Sequence, residues 1–207
     1  MEEAMIRNVI FDVGRVLVQF DCESVLEQLG ITGTAQKAVM AATEGTKEWD
    51  EYDRSEKSDT ELLDAMIANA PEYEKEIRLL WDHIGLTIRK FDYASEWIRS
   101  LKKNGYRVYI LSNYSARTYR ETKAELDFVE DADGAVFSFQ VHAIKPEPQI
   151  YQALLGKYDL LAEESVFIDD RQDNIDAAKM QGINGIRFQS YEQAASELEQ
   201  FGVVVKN

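Results

Sequence analysis

Four short stretches of this 207-residue chain hold residues suited to phosphoryl chemistry: Ile10-Phe11-Asp12, Leu111-Ser112-Asn113, Lys145-Pro146 and Phe167-Ile168-Asp169-Asp170. An aspartate attacks phosphorus only when like-charge repulsion is relieved, so such a site needs a divalent cation and donors around the phosphoryl oxygens. Asp12 is the candidate nucleophile. Hard Mg²⁺ takes oxygen ligands in octahedral geometry; Asp12, the backbone carbonyl of Gly14 and Asp170 are candidates for direct ligands, with Asp169 reaching through water. Ser112 and the amide of Asn113 would hold a phosphoryl oxygen, and Lys145 would neutralise both the carboxylate and the transferring group. Asn174, one turn into the next helix, would bridge Lys145 or steady the metal site from behind.

Taken singly these are ordinary residues: an aspartate after a strand is commonly a turn or helix cap, and Lys-Pro is a common helix entry. Their meaning comes from the elements that carry them. Asn8 to Val13 is nearly continuous in apolar and β-branched residues, as buried parallel strands are. Asp21 can cap a helix through Leu29 that stops at Gly30. Ser58 with Glu61 forms a capping box ahead of Leu62, Leu63, Met66, Ile67 and Ala70, and a further helix is expected from Glu72 to about His83. No strand is expected between roughly residues 22 and 90. After that, helix and strand alternate. The expected strands are Tyr106 to Leu111, Gly134 to Phe137, Ser165 to Ile168 and Ile183 to Phe188. The helices between and after them carry Trp97, Ile98 and Leu101; Ile150, Tyr151 and Leu154 after an opening at Pro146 and Pro148; a helix ending at Gly182; and a stripe of Tyr191, Ala194, Ala195, Leu198 and Phe201. This alternation implies right-handed crossovers and a doubly wound α/β sheet, whose ligand crevice lies at the carboxyl ends of the strands. The chain would then divide into a core of residues 1–20 and 91–207 and a helical insertion, a candidate cap, of residues 21–90.

The length suits one large domain or a domain with an insertion. A formal charge of −15 argues against a nucleic-acid partner, because counterion release needs clustered Lys and Arg. Any anionic substrate must therefore be held by a metal ion and a few placed donors. The single cysteine, Cys22, reads as a passive thiol and points to a reducing, cytoplasmic location. The acidic start Met1-Glu2-Glu3-Ala4-Met5 lacks signal-peptide character, and no segment is long enough to span a bilayer. The expected partner is a small phosphorylated metabolite, without nucleic acid or membrane, for a monomer or homodimer.

Asp12-Val13-Gly14-Arg15-Val16, Ser112-Asn113, Lys145-Pro146-Glu147 and Asp169-Asp170 with Asn174 resemble, in order, the motifs of the haloacid dehalogenase (HAD) superfamily of Mg²⁺-dependent phosphohydrolases. The resemblance implies a mostly parallel Rossmann-like sheet ordered 5-4-1-2-3, a helical cap over the active site and an aspartyl-phosphate intermediate. Phe11-Asp12-Val13-Gly14, Lys145-Pro146-Glu147 with Ile150-Tyr151, and Asp169-Asp170 with Asp173-Asn174-Ile175 look like the bacterial α-D-glucose-1-phosphate phosphatase subgroup, which implies a sugar 1-phosphate or similar sugar phosphate as substrate.

The chain departs from that pattern at Gly14, where most phosphatases of the family place a second aspartate that protonates the leaving group. The carbonyl survives, but acid–base help worth roughly 10²–10⁴-fold must come from elsewhere, such as a cap carboxylate or metal-bound water. Arg15 either steers an anion or reaches solvent. In the insertion, Trp49, Asp53 and Arg54 are candidates for specificity, while His83 and His142 read as structural. Two rivals stand beside the phosphatase. A 2-haloacid dehalogenase needs neither metal nor acid, though the Asp169-Asp170 pair speaks against it. A catalytically weak phosphate-binding regulatory protein would have lost turnover at Gly14.

Overall fold

Asn8–Phe11 (β1) is buried along its whole length, and its residues alternate between two apolar layers, Val9 and Phe11 on one side and Ile10 on the other. That double burial makes β1 the middle of the sheet. The computed structural model describes residues 5–205, so the reading of residues 1–4 lies outside the described residues. After β1 come a short strand, β2 (Val18–Phe20), and five helices: α1 (Cys22–Gln28), α2 (Gly33–Thr43), α3 (Lys47–Arg54), α4 (Asp59–Asn69) and α5 (Glu74–Asp82). The chain returns through β3 (Ile88–Lys90) into α6 (Ala94–Lys103), β4 (Arg107–Ser112), α7 (Ala116–Glu121), β5 (Gly134–Phe137) and α8 (Ser138–Val141). It finishes with α9 (Pro148–Tyr158), β6 (Ser165–Asp169), α10 (Gln172–Met180), β7 (Asn184–Arg187) and α11 (Tyr191–Gln200).

The main sheet has five strands in the order β5-β4-β1-β6-β7, every pair parallel. Counting only these strands, it is the expected 5-4-1-2-3 arrangement. Helices α6 and α11 pack Trp97, Ile98 and Leu198 against Val9, Phe11 and Ile110; on the other face, α9 and α10 pack Ile150, Leu154, Ile175 and Ala178 against Ile10, Leu111 and Phe167. Helices α1 to α5 enclose an apolar cluster of their own, centred on Leu26, Val39, Tyr52, Leu62, Met66, Leu80 and Trp81.

The local signals act where expected. Asp21 accepts from the Ser24 amide at the start of α1, and Ser58 and Glu61 close a reciprocal capping box on α4. Gly30 takes φ +79°, a left-handed conformation that lets the chain leave α1.

Several boundaries differ from expectation. Strand β3 lies within the stretch expected to hold none; it pairs antiparallel with β2, and strands of three residues leave too short a pattern to detect. Strand β1 ends at Phe11 rather than Val13; Asp12 reaches the crevice while Val13 is buried in the core, and the Asp12 amide still donates to the Ile168 carbonyl at 2.9 Å. Helix α9 opens at Pro148, so Lys145 and Pro146, joined by a cis peptide bond, belong to the preceding turn. Phe201 falls just past α11 and is 39% exposed. Among the described residues, no helix is long and apolar enough to cross a membrane.

Candidate active site

Parallel strands bring their carboxyl ends to one edge, and three of the four sequence stretches meet there because β4, β1 and β6 are neighbours. Asp12 follows β1, Asn113 follows β4, and Asp169 closes β6 with Asp170 next to it. The fourth stretch is brought in by side-chain bonding. The Asn113 amide clamps the Lys145 backbone, accepting from its N–H at 2.7 Å and donating to its carbonyl at 3.1 Å.

Lys145 is thereby held in the interior, 2% exposed, with Nζ 2.7 Å from Asp12 Oδ1 and 2.7 Å from Asp169 Oδ2. Burial alone would drive its proton off, but the two carboxylates reverse this and hold the ammonium above the usual lysine range. Asp169 is fully buried and saturated. Besides Lys145, it accepts from the Arg171 amide at 2.8 Å and from Asn174 Nδ2 at 3.0 Å on both oxygens. Asn174 thus donates to the same carboxylate that Lys145 bonds; Tyr151 in turn donates its hydroxyl to the Asn174 carbonyl at 2.9 Å.

Asp12 shares one cation with Asp169. Burial, helped by the Asp169 and Asp170 carboxylates and opposed by Lys145, pushes its pKa up to about 7. Asp170, partly buried, is raised by burial and then by Asp169. Oxygens of Asp12, Asp169 and Asp170 lie within 4.8 Å of one another. Three carboxylates against one ammonium leave the cluster short of positive charge, and hard oxygen donors at this spacing suit Mg²⁺. The residues present fit a divalent cation.

Beside the cluster lies a cavity of about 150 Å³, lined from the core by Asp12, Gly14, Asn113 and Asp170 and from α3 by Trp49, Tyr52 and Asp53. Phe20, Ile84, Ile88 and Tyr114 make an apolar wall, and Arg15 and Arg171 are its cations. Ser112, buried at the end of β4, does not line the cavity; its neighbours Asn113, Tyr114 and Ser115 do. Arg15 is paired with Glu44 at 2.7 Å and lies over the Phe20 ring, so neither of its two expected roles describes it fully. Burial lifts the Cys22 thiol to about 12, which makes it unreactive.

Trp49 and Asp53 face the cavity, but Arg54 turns away into a bidentate ion pair with Glu147 at 2.8 and 2.6 Å. It belongs to a seam that fixes the end of α3 to the core. Tyr52 hydroxyl meets Thr118 Oγ1 at 2.7 Å, Ser138 Oγ donates to the Asp53 carbonyl at 2.6 Å, and the Ala116 amide donates to Ser55 Oγ at 2.9 Å. His142 Nδ1 lies 2.9 Å from the Arg54 carbonyl in the same seam, whereas His83 bonds within its own helix turn. Sequence reasoning missed Tyr52, Tyr114, Thr118 and Arg171 as cavity residues; Tyr114, directly after Ser112-Asn113, and Arg171, directly after the acidic pair, carried a positional signal.

Comparison with known proteins agrees with this architecture. The chain is 22% identical to the sesquiterpene phosphatase astK of Aspergillus oryzae, over 94% of this chain and 95% of that protein. It is 25% identical to the D-ribitol-5-phosphate phosphatase of Bacteroides thetaiotaomicron, over 86% and 89%. A HAD family enzyme from the same bacterium, solved with magnesium and inorganic phosphate, superposes with a TM-score of 0.71 at 22% identity, covering 93% of this chain and 98% of its own. Residues 6–182 match the model of the haloacid dehalogenase-like hydrolases, and the chain belongs to that family.

Proposed function

We propose that this hydrolase is a Mg²⁺-dependent phosphomonoesterase that works through an aspartyl-phosphate on Asp12. The observation that carries this reading is the convergence of Asp12, Asp169 and Asp170 around the buried ammonium of Lys145. In it, Asp12, Asp170 and the Gly14 carbonyl hold the cation, and Asp169 supports it from within its hydrogen-bond network. The bound ion supplies charge neutralisation that lets two anions approach. Lys145 orients Asp12 and offsets charge on the transferring group, while the backbone amide of Asn113 and Arg15 act on the substrate and Ser112 stays buried behind them at the end of β4. Residues 1–20 and 91–207 form the catalytic core and residues 21–90 the cap, in a cytoplasmic protein, monomer or homodimer, that takes a small phosphorylated metabolite.

Within that class we favour a sugar phosphate such as a sugar 1-phosphate. Its anomeric oxygen departs more readily than an ordinary alkoxide, which suits a site with Gly14 after the nucleophile, and the Trp49 ring offers a plane for the apolar face of a sugar. Purified protein assayed with Mg²⁺ against sugar phosphates, nucleotides, aryl phosphates and a haloacid is expected to hydrolyse phosphate esters. Activity should vanish with EDTA and in Asp12→Asn. Gly14 would also be tolerated by a 2-haloacid dehalogenase, and halide release that persists in EDTA would establish that reading instead.

A further inference from the structure

The four consecutive residues 52–55 bind the core in a particular pattern. Tyr52 uses its hydroxyl on Thr118, Arg54 its guanidinium on Glu147 and Ser55 its hydroxyl on the Ala116 amide. Asp53 contributes only its backbone carbonyl, to Ser138. Its carboxyl makes no hydrogen bond among the described residues; it is left in the cavity that Asp12 and Gly14 also line. Neighbours on both sides therefore fix its backbone to the core while its side chain stays free beside the nucleophile. From this geometry we infer that Asp53, supplied by α3, is the general acid–base of the reaction, taking the place left vacant by Gly14.

The inference rests on the phosphomonoesterase reading. In the first half, an Asp12 carboxylate oxygen bonds to phosphorus, the bond from phosphorus to the ester oxygen breaks, and that oxygen takes the departing electron pair together with the proton of Asp53. In the second half, Asp53, now a carboxylate, takes a proton from water as the water oxygen bonds to phosphorus. The bond to Asp12 breaks, its electron pair returns to the Asp12 carboxylate, and phosphate leaves with Asp53 again protonated. The environment favours the acid form at rest: burial, then Asp50 and Asp12, push Asp53 up to about 8, against Lys145. The other charged groups around it are Arg54 on its own helix, and Arg15, Asp170 and Arg171 around the cavity. Unactivated alkyl phosphates then fall within reach of this enzyme.

The test compares kcat/KM for an alkyl phosphate and for p-nitrophenyl phosphate in wild type, Asp53→Asn and Asp53→Glu. Asp53→Asn should lower the alkyl value by about 10²–10⁴-fold and the aryl value far less, since a nitrophenolate leaves without a proton. Wild type should lose alkyl turnover as pH rises through about 8, and Asp53→Asn should lack that limb. Asp53→Glu, or Gly14→Asp added to Asp53→Asn, should recover much of the alkyl activity. Gly14 has nothing within 4 Å of where its Cβ would be, so the second carboxylate has space. Equal losses on both esters, or none, would overturn the role of Asp53 while leaving the phosphatase reading intact. A wild type inert toward both esters and not stabilised by Mg²⁺ with trifluoroberyllate would overturn both.

Discussion

Lys145 is the residue on which two buried carboxylates depend. Replacing it with methionine keeps the volume and removes the charge, leaving Asp12 and Asp169 facing each other in the interior. Loss of one partner from a buried ionic group costs about 3–5 kcal/mol, so Lys145→Met should shift denaturant midpoints strongly and remove activity. Asn174→Ala should be milder in stability and should weaken Mg²⁺ activation by about 10–100-fold, read from the Mg²⁺ dependence of turnover, because Asp169 loses a donor to both oxygens. The raised pKa of Asp53 has a thermodynamic counterpart. Between its unfolded value of 3.8 and about 8 the folded state holds a proton that the unfolded state has lost, so this group makes stability fall as pH rises through that window. Asp53→Asn should therefore gain stability over wild type at pH 8, and the gain should disappear near pH 4 in thermal melts. At this scale the sequence exposed Asp12, Lys145, Asp169 and Asp170, because each ends an apolar run or begins a proline turn. It could not expose the Asn113 clamp, which joins residues 32 apart, or single out the unpartnered carboxyl of Asp53; both depend on which way a side chain turns.

At the scale of elements, helices announced themselves by a cap, as at α1, by a cap and an apolar stripe together, as at α4, or by the stripe alone, as at α6. Strands β2 and β3 did not, since three residues cannot establish a period; they pair antiparallel with each other, apart from the main sheet. Helix α8, four residues long, escaped for the same reason. The capping box of α4 is exposed, and Ser58→Ala should cost about 1 kcal/mol without touching turnover. Gly134, in β5, presents the opposite case. An added Cβ would sit 2.3 Å from the ring of Tyr158, the last residue of α9, which packs against Tyr109, so Gly134→Ala should destabilise by about 1–3 kcal/mol in chemical denaturation. The Arg54–Glu147 bridge between α3 and the turn before α9 is partly open to solvent, its side chains 22% and 36% exposed, and a double-mutant cycle should find about 1 kcal/mol of coupling in it. Its effect belongs to placement: with it gone, the seam around Asp53 loosens.

Across the whole molecule, the fold class and strand order were legible because alternation of helix and strand is a long-range pattern that single errors at boundaries do not erase. The packing of α3 onto the core was not, since it rests on contacts such as Tyr52 with Thr118, 66 residues apart. The formal charge of −15 acts at this scale too. A phosphorylated substrate approaches a repelling surface, so kcat/KM should rise by a factor of about two or more when salt increases from low to physiological strength; a fall would show that Arg15 and Arg171 dominate the approach. The place of β1 has a last consequence. It lies between β4 and β6, and the carboxylates that complete its site arrive only at Asp169 and Asp170. A ribosome that has made the first three quarters of this chain has made Asp12, helices α1 to α5 and Lys145, yet neither Asp169 nor Asp170; the growing polypeptide lacks its carboxylate cluster until β6 emerges and slots in beside its oldest strand.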